Sequence, residues 1–76
     1  MKITTVQPLA ELKLHIVAED GRVGIFDMNP YLQYETFAEL QQAEAFKQVT
    51  NGGYFIEWKC GADLSADTIE AHWQIK

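Results

Sequence analysis

A single cysteine, Cys60, excludes an internal disulfide, and no cysteine–histidine cluster has the spacing of a structural metal site. Arginine is as scarce: Arg22 is alone, and no base follows it until Lys47, across an interval that holds Asp27, Glu35, Glu39 and Glu44. Eleven acids against six bases leave a net charge of −5. Phosphate backbones are held by Lys/Arg clusters that release counterions, so direct nucleic-acid binding is not expected. No apolar run approaches the ~20 residues of a membrane span. The opening Met1-Lys2-Ile3-Thr4-Thr5-Val6 has neither a long apolar stretch nor a small-residue cleavage site. These absences point to a cytoplasmic protein without membrane attachment. Phosphate-cradling and nucleophile-elbow glycine motifs are missing too, and Gly52-Gly53 reads as a turn.

What is present is apolar and aromatic. Of 76 residues 47% are apolar and 22% charged, the balance of a globular domain. A chain this short makes one domain, spanning 1–76, and buries only ~60% of the surface that its unfolded form exposes. Two Trp, three Tyr and four Phe compensate, since each buried ring removes roughly 150–250 Å² from water.

The first half reads as β. Ile3 to Leu9 is a first strand that Gln7-Pro8 is expected to end, because proline cannot donate to a ladder. Leu12, Leu14, Ile16 and Ala18 alternate with Lys13, His15, Val17 and Glu19, the period of a one-sided strand. Asp20-Gly21 predicts a two-residue turn, with Arg22-Val23-Gly24-Ile25-Phe26-Asp27 returning. Asn29-Pro30 predicts a single helical turn through Leu32, with Asn29 as N-cap. Thr36-Phe37-Ala38-Glu39 matches a capping box and opens a helix over 36–47, kinked near Gln41, whose apolar side carries Phe37, Leu40, Ala43 and Phe46. Asn51-Gly52 predicts a second two-residue turn ahead of the aromatic strand Gly53–Lys59, with Tyr54, Ile56 and Trp58 on one face and Phe55 and Glu57 on the other.

From Gly61 the chemistry changes from strand to helix. Ser65 caps a C-terminal helix with Asp67 in its first turn, where the helix dipole favours an anion. Asp67–Glu70 offers a rival box two residues on. Ala66, Ile69 and Trp73 share one side. The resulting fold class is α+β: a small antiparallel sheet built from two hairpins plus an N-terminal strand, with a middle helix and a C-terminal helix packed on it.

Chemistry-bearing residues are few. His15 on a strand and His72 beside Trp73 read as surface residues, 57 positions apart and without a metal-ligand spacing. Cys60 reads as a small, semi-buried hydrophobe, since nothing nearby would depress its pKa. Ser65 and Thr68 are caps rather than nucleophiles. Asp63, at the strand-to-helix junction, is expected to accept backbone amides and lock the turn, with a partner's cation as the alternative. Trp58, Tyr54 and Phe55 form either core or an exposed recognition patch, because alternation drives one set outward.

The combination Ile25-Phe26-Asp27, Asn29-Pro30, Phe37 with Leu40, Phe46, Ile56-Glu57-Trp58 and Gly61-Ala62-Asp63-Leu64-Ser65-Ala66-Asp67-Thr68 resembles the small bacterial proteins of the domain of unknown function 2442 family. The similarity runs from about Ile3 to Glu70, and its specific part is Trp58 with Gly61–Ser65. This chain has Ala66 where that family often has proline, and Lys59-Cys60 where Pro-Asn often precedes the glycine. The resemblance implies a compact α+β fold with no established activity or catalytic residues. Some relatives add a helix-turn-helix segment, a pattern absent from these 76 residues. Others look like partners of small proteins from neighbouring genes, in arrangements reminiscent of toxin–antitoxin pairs.

The reading that follows is a non-enzymatic interaction module with no catalytic, cofactor-binding or metal-binding residues. It expects a small protein partner, the product of a neighbouring gene by the family analogy, bound through the aromatic face or the acidic middle. It also expects self-association, a homodimer being the simplest cover for exposed aromatics. The alternative is the regulatory domain of a transcription-factor-like assembly whose DNA-binding part lies on another chain. A minor enzyme using Asp63 with His15 or His72 would need those groups in one cleft.

Overall fold

Period-two alternation forms the first hairpin in the structure, a computed structural model that describes residues 1–76. β2 (Lys13–Ala18) buries Leu14, Ile16 and Ala18 and turns Lys13, His15 and Val17 to the other face. β3 (Val23–Asp27) returns antiparallel, with Leu14 opposite Phe26 and Ile16 opposite Gly24. The connection is one residue longer than expected. Ala18 N–H donates to Arg22 O at 2.9 Å and Gly21 N–H to Ala18 O at 3.0 Å, which makes Glu19-Asp20-Gly21 the loop. Gly21, at a φ of +95°, supplies the left-handed residue of a three-residue hairpin. The Asp20 carboxylate favours this form by accepting the Arg22 backbone N–H at 3.0 Å and its Nε–H at 2.8 Å.

Leu12 leaves the β2 face. It ends a short 3₁₀ turn, Ala10–Leu12, in which Glu11 and Leu12 have φ of +64° and +61°, unfavourable for residues with a Cβ. Two bonds hold the reversal: Leu12 O accepts Met28 N–H at 3.1 Å, and Glu11 O accepts the Asn29 side-chain amide at 2.8 Å.

β1 (Ile3–Leu9) runs through Pro8 instead of stopping at it. The Ala18–Arg22 bond sets the alternation, so Leu14 and Ile16 bond toward β3 while Lys13, His15 and Val17 bond toward β1. Their partners there are Leu9, Gln7 and Thr5. Pro8's missing N–H therefore falls on the open edge of the sheet, where proline is tolerated. On the far side of β3, β7 (Gln74–Ile75) completes the order β1-β2-β3-β7. Gly24 allows that closure: a Cβ there would lie 2.6 Å from Trp73 Cε3 and 2.9 Å from Gln74 O.

A second antiparallel sheet comprises β4 (Val49–Asn51), β5 (Phe55–Trp58) and β6 (Asp63–Ser65), in that order. Its first turn sits later than the Asn51-Gly52 signal placed it. Asn51 pairs with Ile56, Gly52 N–H donates to Phe55 O at 2.8 Å, and Gly53-Tyr54 form the loop. Asn51 is instead a side-chain clamp. Its Oδ1 accepts Gly53 N–H and its Nδ2 donates to Ile3 O, both at 2.8 Å. With Ile3 N–H donating to Gly53 O at 2.7 Å, these bonds tie the two sheets together.

The middle segment is more broken than a single helix over 36–47. Asn29–Tyr31 is a 3₁₀ turn with Met28, not Asn29, in the N-cap position. Glu35–Gln41 is also 3₁₀, Gln42 is extended at ψ 127°, and α1 (Ala43–Phe46) is one turn. No side-chain cap forms at the start of Glu35–Gln41, so the Thr36–Glu39 box is not used. Leu40 and Phe46 are both buried while Ala43 is exposed. In one continuous helix, residues six apart lie about 240° apart around the axis. The break at Gln42 brings Phe46 back toward Trp58, with ring centroids 6.2 Å apart, while Phe37 lies 6.4 Å away.

α2 (Ala66–His72) forms as the sequence predicts: Ser65 Oγ accepts Thr68 N–H at 3.1 Å, and Ala66, Ile69 and Trp73 are buried. The rival box from Asp67 is not made, because Glu70 turns to Arg22 and the N-terminal ammonium. The fold is α+β, with sixteen buried apolar residues in one core and no buried polar or charged residue.

Candidate functional site

Inward pointing of Ile56, Trp58 and Leu64 leaves Thr50, Phe55, Glu57, Asp63 and Ser65 on the outer face of the second sheet. Phe55 is 43% exposed and Tyr54, at the hairpin tip, 68%. The Phe55 ring lies over Gly52, where an added Cβ would come within 2.3 Å of it. The aromatic ring thus shields the glycine that closes the hairpin opposite it. Trp58 belongs elsewhere: at 1% exposure it is core, with its indole N–H donating to Phe46 O at 3.0 Å.

Asp63 pairs directly with Glu57 across β5 and β6, and like charges placed opposite one another destabilise a sheet. Neither carboxylate has a hydrogen-bond or ion-pair partner, so the turn lock expected of Asp63 is not made. The surplus negative charge concentrates here. Glu11, Glu19, Asp20, Glu44 and Glu70 each meet a cation within 3.9 Å, and Asp27 accepts Asn29 N–H at 2.9 Å. That leaves Glu35, Glu39, Glu57, Asp63 and Asp67, and three of the five lie on β5, β6 and the first turn of α2. Next to them Thr50, Glu57 and Lys59 border an open depression of about 440 Å³.

Shifted acidities lie outside this face, at satisfied structural carboxylates. The N-terminal ammonium, and after it Arg22, holds Glu70 below its ordinary range. Backbone N–H bonds from Arg22 and Asn29 do the same for Asp20 and Asp27. Glu70 and Asp20 in turn raise Arg22, whose guanidinium stands 5.7 Å from the centre of the Trp73 ring.

One juxtaposition was not legible in the sequence. His72 lines a polar pocket of about 270 Å³ with Lys13, Ile25, Asp27 and Gln74, at one corner of the sheet face that carries His15. Pairing of β7 with β3 brings them there, and no local motif signals it. Neither histidine hydrogen-bonds a carboxylate, and Asp63 lies on the other sheet. Cys60 is exposed rather than semi-buried, because the turn after β5 carries it off the sheet.

The arrangement suits binding: an aromatic anchor beside unneutralised carboxylates, on strands fixed by a rigid core. No helix is long and apolar enough to cross a membrane. No curated protein and no solved structure matches the chain. The family model described as Protein of unknown function (DUF2442) matches residues 3–74, nearly the whole length, and the chain belongs to that family.

Proposed function

We propose that the protein is a non-enzymatic interaction module whose second sheet receives a cationic segment of a small protein partner. The observation that carries this reading is the unneutralised Glu57–Asp63 cross-strand pair beside the exposed Phe55. A sheet that keeps two carboxylates opposed gives up a few tenths of a kcal/mol of stability. A lysine or arginine from a partner removes that repulsion, and Phe55 and Tyr54 supply the apolar or cation–π contact beside it. Asp67 extends the acidic strip onto α2.

The test couples binding to stability. The immobilised protein is exposed to native lysate beside Phe55→Ala and Glu57→Gln/Asp63→Asn variants. The wild type recovers a stoichiometric basic protein that salt elutes, and both variants lose it. The double carboxylate variant also unfolds at higher urea than the wild type. Capture that both variants retain, or a wild type that recovers nothing, overturns the proposal.

A further inference from the structure

The outer face of the second sheet does not end at Glu57. Lys59 follows two residues on, about 7 Å further along the same side of the chain, and borders the same open depression of about 440 Å³. Its N–H donates to Gln48 O at 3.0 Å, which carries the β4–β5 ladder one step past the last strand residues. A second depression, of about 280 Å³, adjoins this one and is bordered by Glu39, Ala45 and Cys60. Gln48 and Lys59 line both, so the two form one groove that runs from the second sheet onto the middle segment.

Charge alternates along this groove. Glu57, Lys59 and Glu39 are all exposed, and none of the three forms an ion pair. Lys2, Lys13 and Lys47 each stand within 3.9 Å of a glutamate, which leaves Lys59 and Lys76 as the lysines without one. Two acids alone would accept any basic chain. Here a free lysine stands between them, and it repels a base placed against it. Building on the second sheet as the partner-binding surface, we infer that the groove takes an extended segment carrying a base, an acid and a second base at alternate positions. Alternate side chains of an extended segment fall on one side about 7 Å apart, the spacing of Glu57 from Lys59. The first base meets Glu57, the acid meets Lys59 and the second base meets Glu39. A uniformly basic segment is disfavoured by its like charge at Lys59.

The experiment titrates the whole chain, followed by its backbone amide NMR resonances, with two capped synthetic peptides, Arg-Thr-Glu-Thr-Arg and Arg-Thr-Arg-Thr-Arg. Salt is held at about 0.15 M, where the pull of net charge beyond about 8 Å is screened. The wild type binds the mixed peptide about threefold more tightly, the scale of one exposed ion pair made instead of repelled, although the all-basic peptide carries the larger charge. Lys59→Glu inverts the order. Lys76→Glu changes the net charge equally, at the edge of the first sheet, and keeps the wild-type order. An all-basic peptide that binds the wild type as tightly or more tightly overturns the inference, as does an order that Lys59→Glu leaves standing. So does a titration in which neither peptide shifts the resonances of Glu39, Glu57 and Lys59. Where capture from lysate still depends on Phe55 and on the Glu57–Asp63 pair, such a result removes the charge pattern and leaves the partner surface standing.

Discussion

Replacing Trp58 by phenylalanine tests how the core is held. Trp58 is 1% exposed and stands between Phe37 and Phe46. Its indole N–H donates at 3.0 Å to the carbonyl of Phe46, the last residue of α1, and so ties β5 to the end of the middle segment. Trp58→Phe keeps an aromatic ring but leaves that carbonyl buried and unpaired, at a cost of about 1–3 kcal/mol. The lost ring atoms add about 1–2 kcal/mol at roughly 0.8 kcal/mol per methylene-sized group. A domain of this length has a total stability of about 4–11 kcal/mol, so the variant loses at least about a fifth of it. Trp73→Phe is the control. That indole makes no hydrogen bond within the chain, and its loss removes only packing and the Arg22 contact. Urea unfolding followed by far-ultraviolet circular dichroism should show Trp58→Phe to be the worse of the two by about 1–3 kcal/mol. Equal losses would refute the claim that the indole bond to Phe46 organises the middle segment.

Ser65→Ala removes the acceptor of the Thr68 amide and should lower stability by about 1 kcal/mol, read from the same urea curves. Stability should also fall in acid. Glu70 is held below its ordinary value of 4.5 in the folded chain, so its contribution is complete above that pH and is lost as pH drops through the lower, folded value. Asp20 and Asp27, depressed from 3.8, lose theirs further down. At low salt, Glu70→Gln should flatten the upper part of the acid slope in urea midpoint against pH. A slope unchanged by the substitution would show that the ion pairs with Arg22 and the N-terminal ammonium contribute nothing.

Local chemistry announced most of the elements. The alternation from Lys13 to Ala18, the Ser65 cap and the Ala66, Ile69 and Trp73 spacing depend on neighbours within a turn or a strand, and each appears as the residues predict. Turn details were harder to read. Asp20-Gly21 and Asn51-Gly52 both mark hairpins, but side-chain bonds from Asp20 and Asn51 set the loop and its register. The middle helix misled for a different reason. Its capping box and apolar spacing are intrinsic preferences of a short segment, and a segment of that length is marginal without tertiary packing. Packing of both Leu40 and Phe46 into the core required the break at Gln42.

The binding surfaces divide along the same line. Alternation separates Phe55 and Glu57 from Ile56 and Trp58, but which set is buried was left open by the sequence. Tyr54, read with Ile56 and Trp58, lies instead in the exposed hairpin loop. The opposition of Glu57 to Asp63 could not be read, because it depends on the register between β5 and β6. Nor could the meeting of His72 with Lys13 and Asp27, which needs β7 beside β3.

The sequence by itself determined the α+β class, the alternation of β2 from Lys13 to Ala18 and the start of the last helix, because those follow from period, capping and turn chemistry within a few residues. Only the tertiary structure decided that the strands part into two sheets, that Pro8 sits on an open edge, and which carboxylates are left unneutralised. Those outcomes rest on contacts between residues distant along the chain, where register and packing select among arrangements that local preference leaves equal.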